Sequence, residues 1–134
     1  MSREKNYLTG ISYDNYALTK HKGQAVDILN EIRDSNPTRD SSLLERRLIK
    51  LGEEYGELAQ ALLSVTSPDN PKCKTWDDVR EELSDVVIVA LDMLFTIMPD
   101  EKGVSDTMKR YIIESWIQDK LKKWRKSQSN HSND

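Results

Sequence analysis

Apolar positions recur every three or four residues along most of the chain, the spacing of helices that bury one face. Between about Ser12 and Arg33 they fall at Tyr13, Tyr16, Ala17, Ala25, Ile28, Leu29 and Ile32 around a polar middle, which predicts a first helix. Asp34 to Asp40, with Asn36-Pro37, reads as a loop. Ser42-Leu43-Leu44-Glu45 has the form of a capping box, the serine capping a helix start while the glutamate reaches back. The second helix then runs to about Ser64, with an apolar stripe of Leu44, Leu48, Leu51, Tyr55, Leu58 and Leu62. Ser67 to Lys74 holds two prolines and reads as a loop. Thr75-Trp76-Asp77-Asp78 restarts the chain, with Thr75 as cap and the aspartates at the positive helix start. The third helix runs to about Met98. Beyond Asp85 it is apolar on nearly all sides, and such a helix has to be covered all round, which predicts a subunit interface. After a turn at Pro99 to Gly103, a fourth helix spans about Ser105 to Lys126, with Met108, Ile112, Trp116, Leu121 and Trp124 as candidate buried positions.

The expected architecture is therefore an all-α four-helix bundle in a single domain, residues 1–126, preceded by a loose arm at 1–11 and followed by a disordered polar tail at 127–134. The 134 residues suit one domain with a modest core. With 5 Gly and 4 Pro the chain has few breaks, which favours long helices. The net charge of −3 argues against a general nucleic-acid binder. The single Cys73 excludes an internal disulfide and a cysteine zinc site. The most apolar run, Val86 to Met98, is interrupted by Asp92 and is too short to span a bilayer. No segment has a signal-peptide layout, so the expected location is cytoplasmic, without a membrane partner.

Two acidic segments carry the candidate chemistry. Glu53, Glu54 and Glu57 fall within an arc of roughly 100° on the second helix. Glu82 and Asp85 are three apart and share a face of the third. A solvated acidic helix face would explain the first cluster alone. Its recurrence on the next helix, next to the small residues Gly56 and Ser84, points to convergence between antiparallel neighbours. Lys50 can reach Glu53 or Glu54 at helical spacing, but Glu57, Glu82 and Asp85 have no such partner. Carboxylates gathered in a groove raise one another's pKa and are costly to bury unpaired, and a hard divalent cation with oxygen ligands resolves the conflict. A di-iron carboxylate bundle would need Glu-x-x-His pairs, and neither cluster has one. The oxygen-only donors favour magnesium, with manganese as the second choice.

Glu54-Tyr55-Gly56-Glu57-Leu58 followed, after 24 intervening residues from Glu57, by Glu82-Leu83-Ser84-Asp85-Val86 resembles the paired motif of the MazG-type, all-α nucleoside triphosphate pyrophosphohydrolases. Tyr16-Ala17-Leu18-Thr19 is similar to the opening helix of the small single-domain members, and the resemblance spans about Ser12 to Lys126. It implies magnesium-dependent cleavage of a nucleoside triphosphate to the monophosphate and pyrophosphate, with Glu54, Glu57, Glu82 and Asp85 as metal ligands. Glu53 would then be a helper that orients water or accepts its proton. The resemblance also implies a homodimer or homotetramer. Lys120 best matches the lysine of that family's last helix, and Lys120 and Lys123 would steady the outgoing pyrophosphate. The same basic helix end also fits plain complementarity to the helix dipole. Trp76 is placed to stack on a base or to anchor the helix start. Asp92, seven residues after Asp85, reads equally as a hydrogen-bonding or an interface residue. The competing functional reading is a non-catalytic helical interaction module with an acidic face.

Overall fold

The computed structural model describes residues 27–35, 43–98 and 103–131. These residues form four helices and no strand: α1 (Ile28–Ser35), α2 (Leu44–Thr66), α3 (Trp76–Ile97) and α4 (Asp106–His131). The expected arm at 1–11, the first half of the first helix, the capping Ser42 and Pro99 lie outside the described residues. No described helix is long and apolar enough to cross a membrane.

Local chemistry sets the ends of the two central helices. Thr75, in extended backbone, accepts at 3.2 Å from the Asp78 amide, and the Asp78 carboxylate accepts at 2.8 Å from the Thr75 amide. The cap at Thr75 is the one the sequence places there, and the Asp78 carboxylate reaching back makes it a reciprocal capping box. The hydrogen bond from the Thr75 backbone, together with its side chain, holds the Asp78 carboxyl below its ordinary value of 3.8. At their far ends, α2 and α3 stop at Ser67 and Met98, both in extended backbone. Each precedes a proline in the sequence, Pro68 or Pro99, whose ring disfavours the α conformation in the residue before it. The start of α2 differs from expectation. Leu43 takes the cap position in helical dihedrals with no side-chain cap bond.

Between α2 and α3 the loop folds around Asn70, which adopts a left-handed φ of 40° that asparagine tolerates. Its amide nitrogen donates to the Lys74 carbonyl at 2.7 Å, and its side-chain oxygen accepts from the Lys74 amide at 2.9 Å. Ser64 Oγ donates to that same oxygen at 2.5 Å and accepts from the Lys72 amide at 3.0 Å, which ties the loop to the last turn of α2. The two helices then run antiparallel. Arg47 of α2 pairs with Asp92 of α3, and Glu54, two turns on, meets Asp85 and Glu82.

The core cluster lies at the far end of α3, where α1 and the start of α4 meet it. Ile32, Phe95, Met98 and Ile113 are buried there, with Leu29, Leu91, Leu94 and Ile112 packed around them. Arg110 of α4 pins this corner through Asp27, ahead of α1, and is itself steadied by Glu114 of its own helix at 3.1 Å.

Two burial expectations need correction. On α2, Leu48, Tyr55 and Leu62 of the expected buried stripe are exposed, because α2 packs on α3 through the side bearing Arg47, Glu54 and Ala61. On α4, Met108, Trp116, Leu121 and Trp124 are exposed, and the buried residue is Ile113. From Ser115 to Asn130 α4 is exposed throughout, and the helix continues to His131 instead of ending near Lys126. No glycine or proline interrupts Ser127 to Asn130, so nothing local stops it.

Candidate metal centre

The antiparallel pairing brings both acidic clusters to one place. Glu54 is buried on the side of α2 that faces α3, and one oxygen from each of Glu54, Glu82 and Asp85 lies within 4.8 Å of the others. Glu57, one turn along α2, lies outside that trio but near enough for its charge to act on Glu82. Three of the five expected carboxylates therefore converge, one from α2 and two from α3, with Glu57 beside them.

Glu82 carries the strain of this arrangement. Its pKa is raised above the ordinary 4.5, first by burial and then by the charge and hydrogen bond of Glu57 and the charges of Asp85 and Glu54. Its Oε2 is shielded from solvent and has no hydrogen-bond partner. A buried carboxylate oxygen without a donor is costly, and a cation is the simplest partner that removes the cost.

Among the described residues, positive charge reaches the cluster from one side. Lys50 Nζ lies 2.6 Å from Glu54 and 3.5 Å from Glu53, both on its own helix. The hydrogen bond to Glu54 raises the lysine pKa, as expected for an ammonium between two carboxylates. Among the described residues no cation pairs with Glu57, Glu82 or Asp85. Glu53 is the expected residue that does not join the group: it faces solvent and meets Lys50.

Asp92 is resolved as a buried ion-pair partner. Arg47 Nε lies 3.0 Å from its carboxylate, and Thr96 Oγ1 donates to the Asp92 carbonyl at 2.8 Å. The reading of the sequence missed Arg47, although a signal was there. Arg47 precedes Glu54 by seven residues and Asp92 follows Asp85 by seven. On antiparallel helices equal steps of two turns end opposite each other.

The remaining candidates sit elsewhere. Lys120 and Lys123 are exposed on the distal part of α4, and no described ion pair joins them to the carboxylates. Trp76 is half-buried as the first residue of α3, six residues ahead of Glu82.

The donor set is oxygen-only and anionic. It suits a hard cation such as magnesium or manganese and offers none of the nitrogen or sulfur that zinc or copper sites use. No family model, curated protein or solved structure matches the chain.

Proposed function

We propose that the protein is a magnesium-dependent nucleoside triphosphate pyrophosphohydrolase of the MazG type, with Glu54, Glu57, Glu82 and Asp85 as its metal ligands. The observation that carries the reading is the convergence of Glu54, Glu82 and Asp85, with Glu57 beside them, around a shielded Glu82 oxygen with no donor. The motif resemblance supplies the reaction class, and the bundle type goes with it. When bound, the ion supplies Lewis-acid polarisation of phosphate oxygens and acidifies a water.

The chain's own part follows from its charges. Metal entry requires every ligand ionised, so Glu82, the carboxyl that most favours its proton, gives it up. Lys50 sits beside Glu54 at the rim, 2.6 Å away, and is the cation that an incoming metal ion would have to displace or accommodate. Glu53, adjacent and exposed, is placed to accept a proton from water at the mouth of the site rather than to hold the ion. Lys120 and Lys123 enter as phosphate contacts through the resemblance, and Trp76 as a base contact through its place at the start of α3.

The deciding experiment incubates the protein with a panel of ribo- and deoxynucleoside triphosphates and magnesium, and scores pyrophosphate against phosphate. Monophosphate and pyrophosphate are expected, and EDTA should abolish turnover. Diphosphate and free phosphate would leave the metal site standing but refute the bond assignment. Metal binding without any turnover would favour the interaction-module reading.

A further inference from the structure

Along α2, Arg47, Lys50, Glu54 and Glu57 fall within an arc of roughly 80°. Two cations and then two carboxylates follow one another on that side of the helix. The cations differ in what holds them. Arg47 is bound to the buried Asp92 of α3 at 3.0 Å, a contact between helices. Lys50 pairs within its own helix, with Nζ 2.6 Å from Glu54 and 3.5 Å from Glu53. The Lys50 side chain is 45% exposed, that of Glu54 7% and that of Glu53 56%. The ammonium therefore bridges the buried part of the carboxylate group and its exposed rim. A lysine carries its charge on a flexible four-carbon stem, and nothing in these contacts ties this one to α3.

Glu54 is also the α2 member of the trio with Glu82 and Asp85, whose oxygens lie within 4.8 Å of one another. A divalent ion held there would meet Lys50 as a like charge a few ångströms away, and like charges at that range repel more strongly at a protein surface than in bulk water. Charge balance says where the lysine is needed next. Glu54, Glu57, Glu82 and Asp85 carry four negative charges when ionised, and one divalent ion leaves two of them uncompensated. A polyphosphate adds more negative charge. A phosphate oxygen approaching the ion needs a further cation at the mouth, and a lysine released from Glu54 stands there as a point charge with three donors.

We propose that Lys50 is an exchangeable counter-ion of the carboxylate site: it holds Glu54 in the metal-free protein, yields that carboxylate to the ion, and turns to a phosphate oxygen of the substrate. This role presupposes the metal ligands assigned above and adds a phosphate contact on α2, beside those ligands and separate from Lys120 and Lys123 on α4. The contact with the exposed Glu53 keeps the ammonium at the mouth during the exchange. One side chain thus opposes the metal before substrate arrives and favours phosphate afterwards, two effects of opposite sign that a merely structural lysine does not produce.

The test is isothermal titration calorimetry on the full chain, with circular dichroism to follow the fold. Magnesium is titrated alone, and magnesium pyrophosphate is then titrated into the metal-saturated protein. Lys50→Met keeps the stem and removes the charge. It should bind magnesium about tenfold tighter, the scale of one charge contact at a protein surface. It should bind magnesium pyrophosphate about tenfold more weakly, the loss of one hydrogen bond to a charged group. Lys50→Arg keeps the charge and should bind magnesium no tighter than wild type. In wild type, the NMR signal of the Lys50 ε-methylene, identified by its absence from Lys50→Arg, should move on adding magnesium and again on adding pyrophosphate. That readout stands even where Lys50→Met fails to fold. The role is overturned if Lys50→Met binds magnesium no tighter than wild type or pyrophosphate no more weakly, if Lys50→Arg matches Lys50→Met, or if the wild-type signal stays still. A wild type that binds no magnesium, or an Asp85→Asn variant that binds it as well as wild type, overturns the metal reading and this role together, so the two failures are told apart.

Discussion

Glu82 is the residue on which the electrostatics of the site turn. Its folded-state pKa lies above 4.5, so the metal-free fold binds that proton more tightly than the unfolded chain does. The penalty of ionised Glu82 is therefore fully present above the folded value. It shrinks as pH falls toward 4.5 and is gone below it. Without metal, thermal stability should rise on mild acidification from neutral pH. Glu82→Gln should melt higher than wild type at neutral pH and should lack that rise. A Glu82→Gln protein that melts lower, or that keeps the wild-type slope, would count against the shielded-carboxylate account. Asp78 has the opposite sign. Its folded pKa lies below 3.8, so the stability from its capping box is present above 3.8 and is lost as pH falls through the folded value. For turnover, Glu57→Gln and Asp85→Asn remove a charge with little change of shape. Each should lower kcat by about 100-fold or more, comparable to losing a preorganised electrostatic contact. Glu53→Gln should cost less, because Glu53 stands outside the converging group. Steady-state kinetics with pyrophosphate detection distinguishes the two outcomes.

At the scale of elements, α2 and α3 form the unit that makes the site, and their register rests on a few identifiable contacts. The loop locked by Asn70 and Ser64 fixes one end. Arg47 and Asp92 fix the other. Asp92 is buried, so Arg47→Leu leaves a buried carboxylate without this partner and should destabilise the fold by about 3 kcal/mol, near the lower end for breaking a buried pair. Arg47→Leu with Asp92→Leu should recover most of that loss, since the charge is removed along with its partner. Urea titration of the two variants decides it: a single variant as stable as wild type would mean that the pair does not hold the register. Thr75→Ala should cost about 1 kcal/mol through loss of the cap of α3. Helix ends were largely legible in the sequence. Thr75 and Asp78 announce a start, and Pro68 and Pro99 announce stops through steric effects on the preceding residue. The start of α2 was less so, because Leu43 already has helical dihedrals.

At the scale of the molecule, the metal and the assembly are the two quantities that single-chain contacts leave open to experiment. A cation that binds only the folded state stabilises it by mass action, about 2.7 kcal/mol at a hundredfold excess over its Kd. Magnesium should therefore raise the Tm of wild type and leave Asp85→Asn nearly unmoved. An equal rise in both would place the ion somewhere else. The exposed Val87 and Ile88 on α3, and Trp116 and Trp124 on α4, agree with the expectation that an apolar third helix must be covered, but they do not by themselves say by what.

The amino-acid order alone determined the helical periodicity, the start of α3, the stops of α2 and α3 before their prolines, and the presence of two acidic clusters on neighbouring helices. These follow from dihedral sterics, capping and the 3.6-residue repeat, all of which act within a few residues. Only the tertiary structure decided which side of α2 is buried, which carboxylate loses its solvent, and that Arg47 meets Asp92. The apolar stripe of Leu48, Tyr55 and Leu62 pointed to one face as the buried side, whereas the chain packs α2 on α3 through the face that carries Glu54. Local pattern says what each face offers. Which face is covered depends on the competing partners brought by α3, and their burial and charge energies are set by residues far away in sequence.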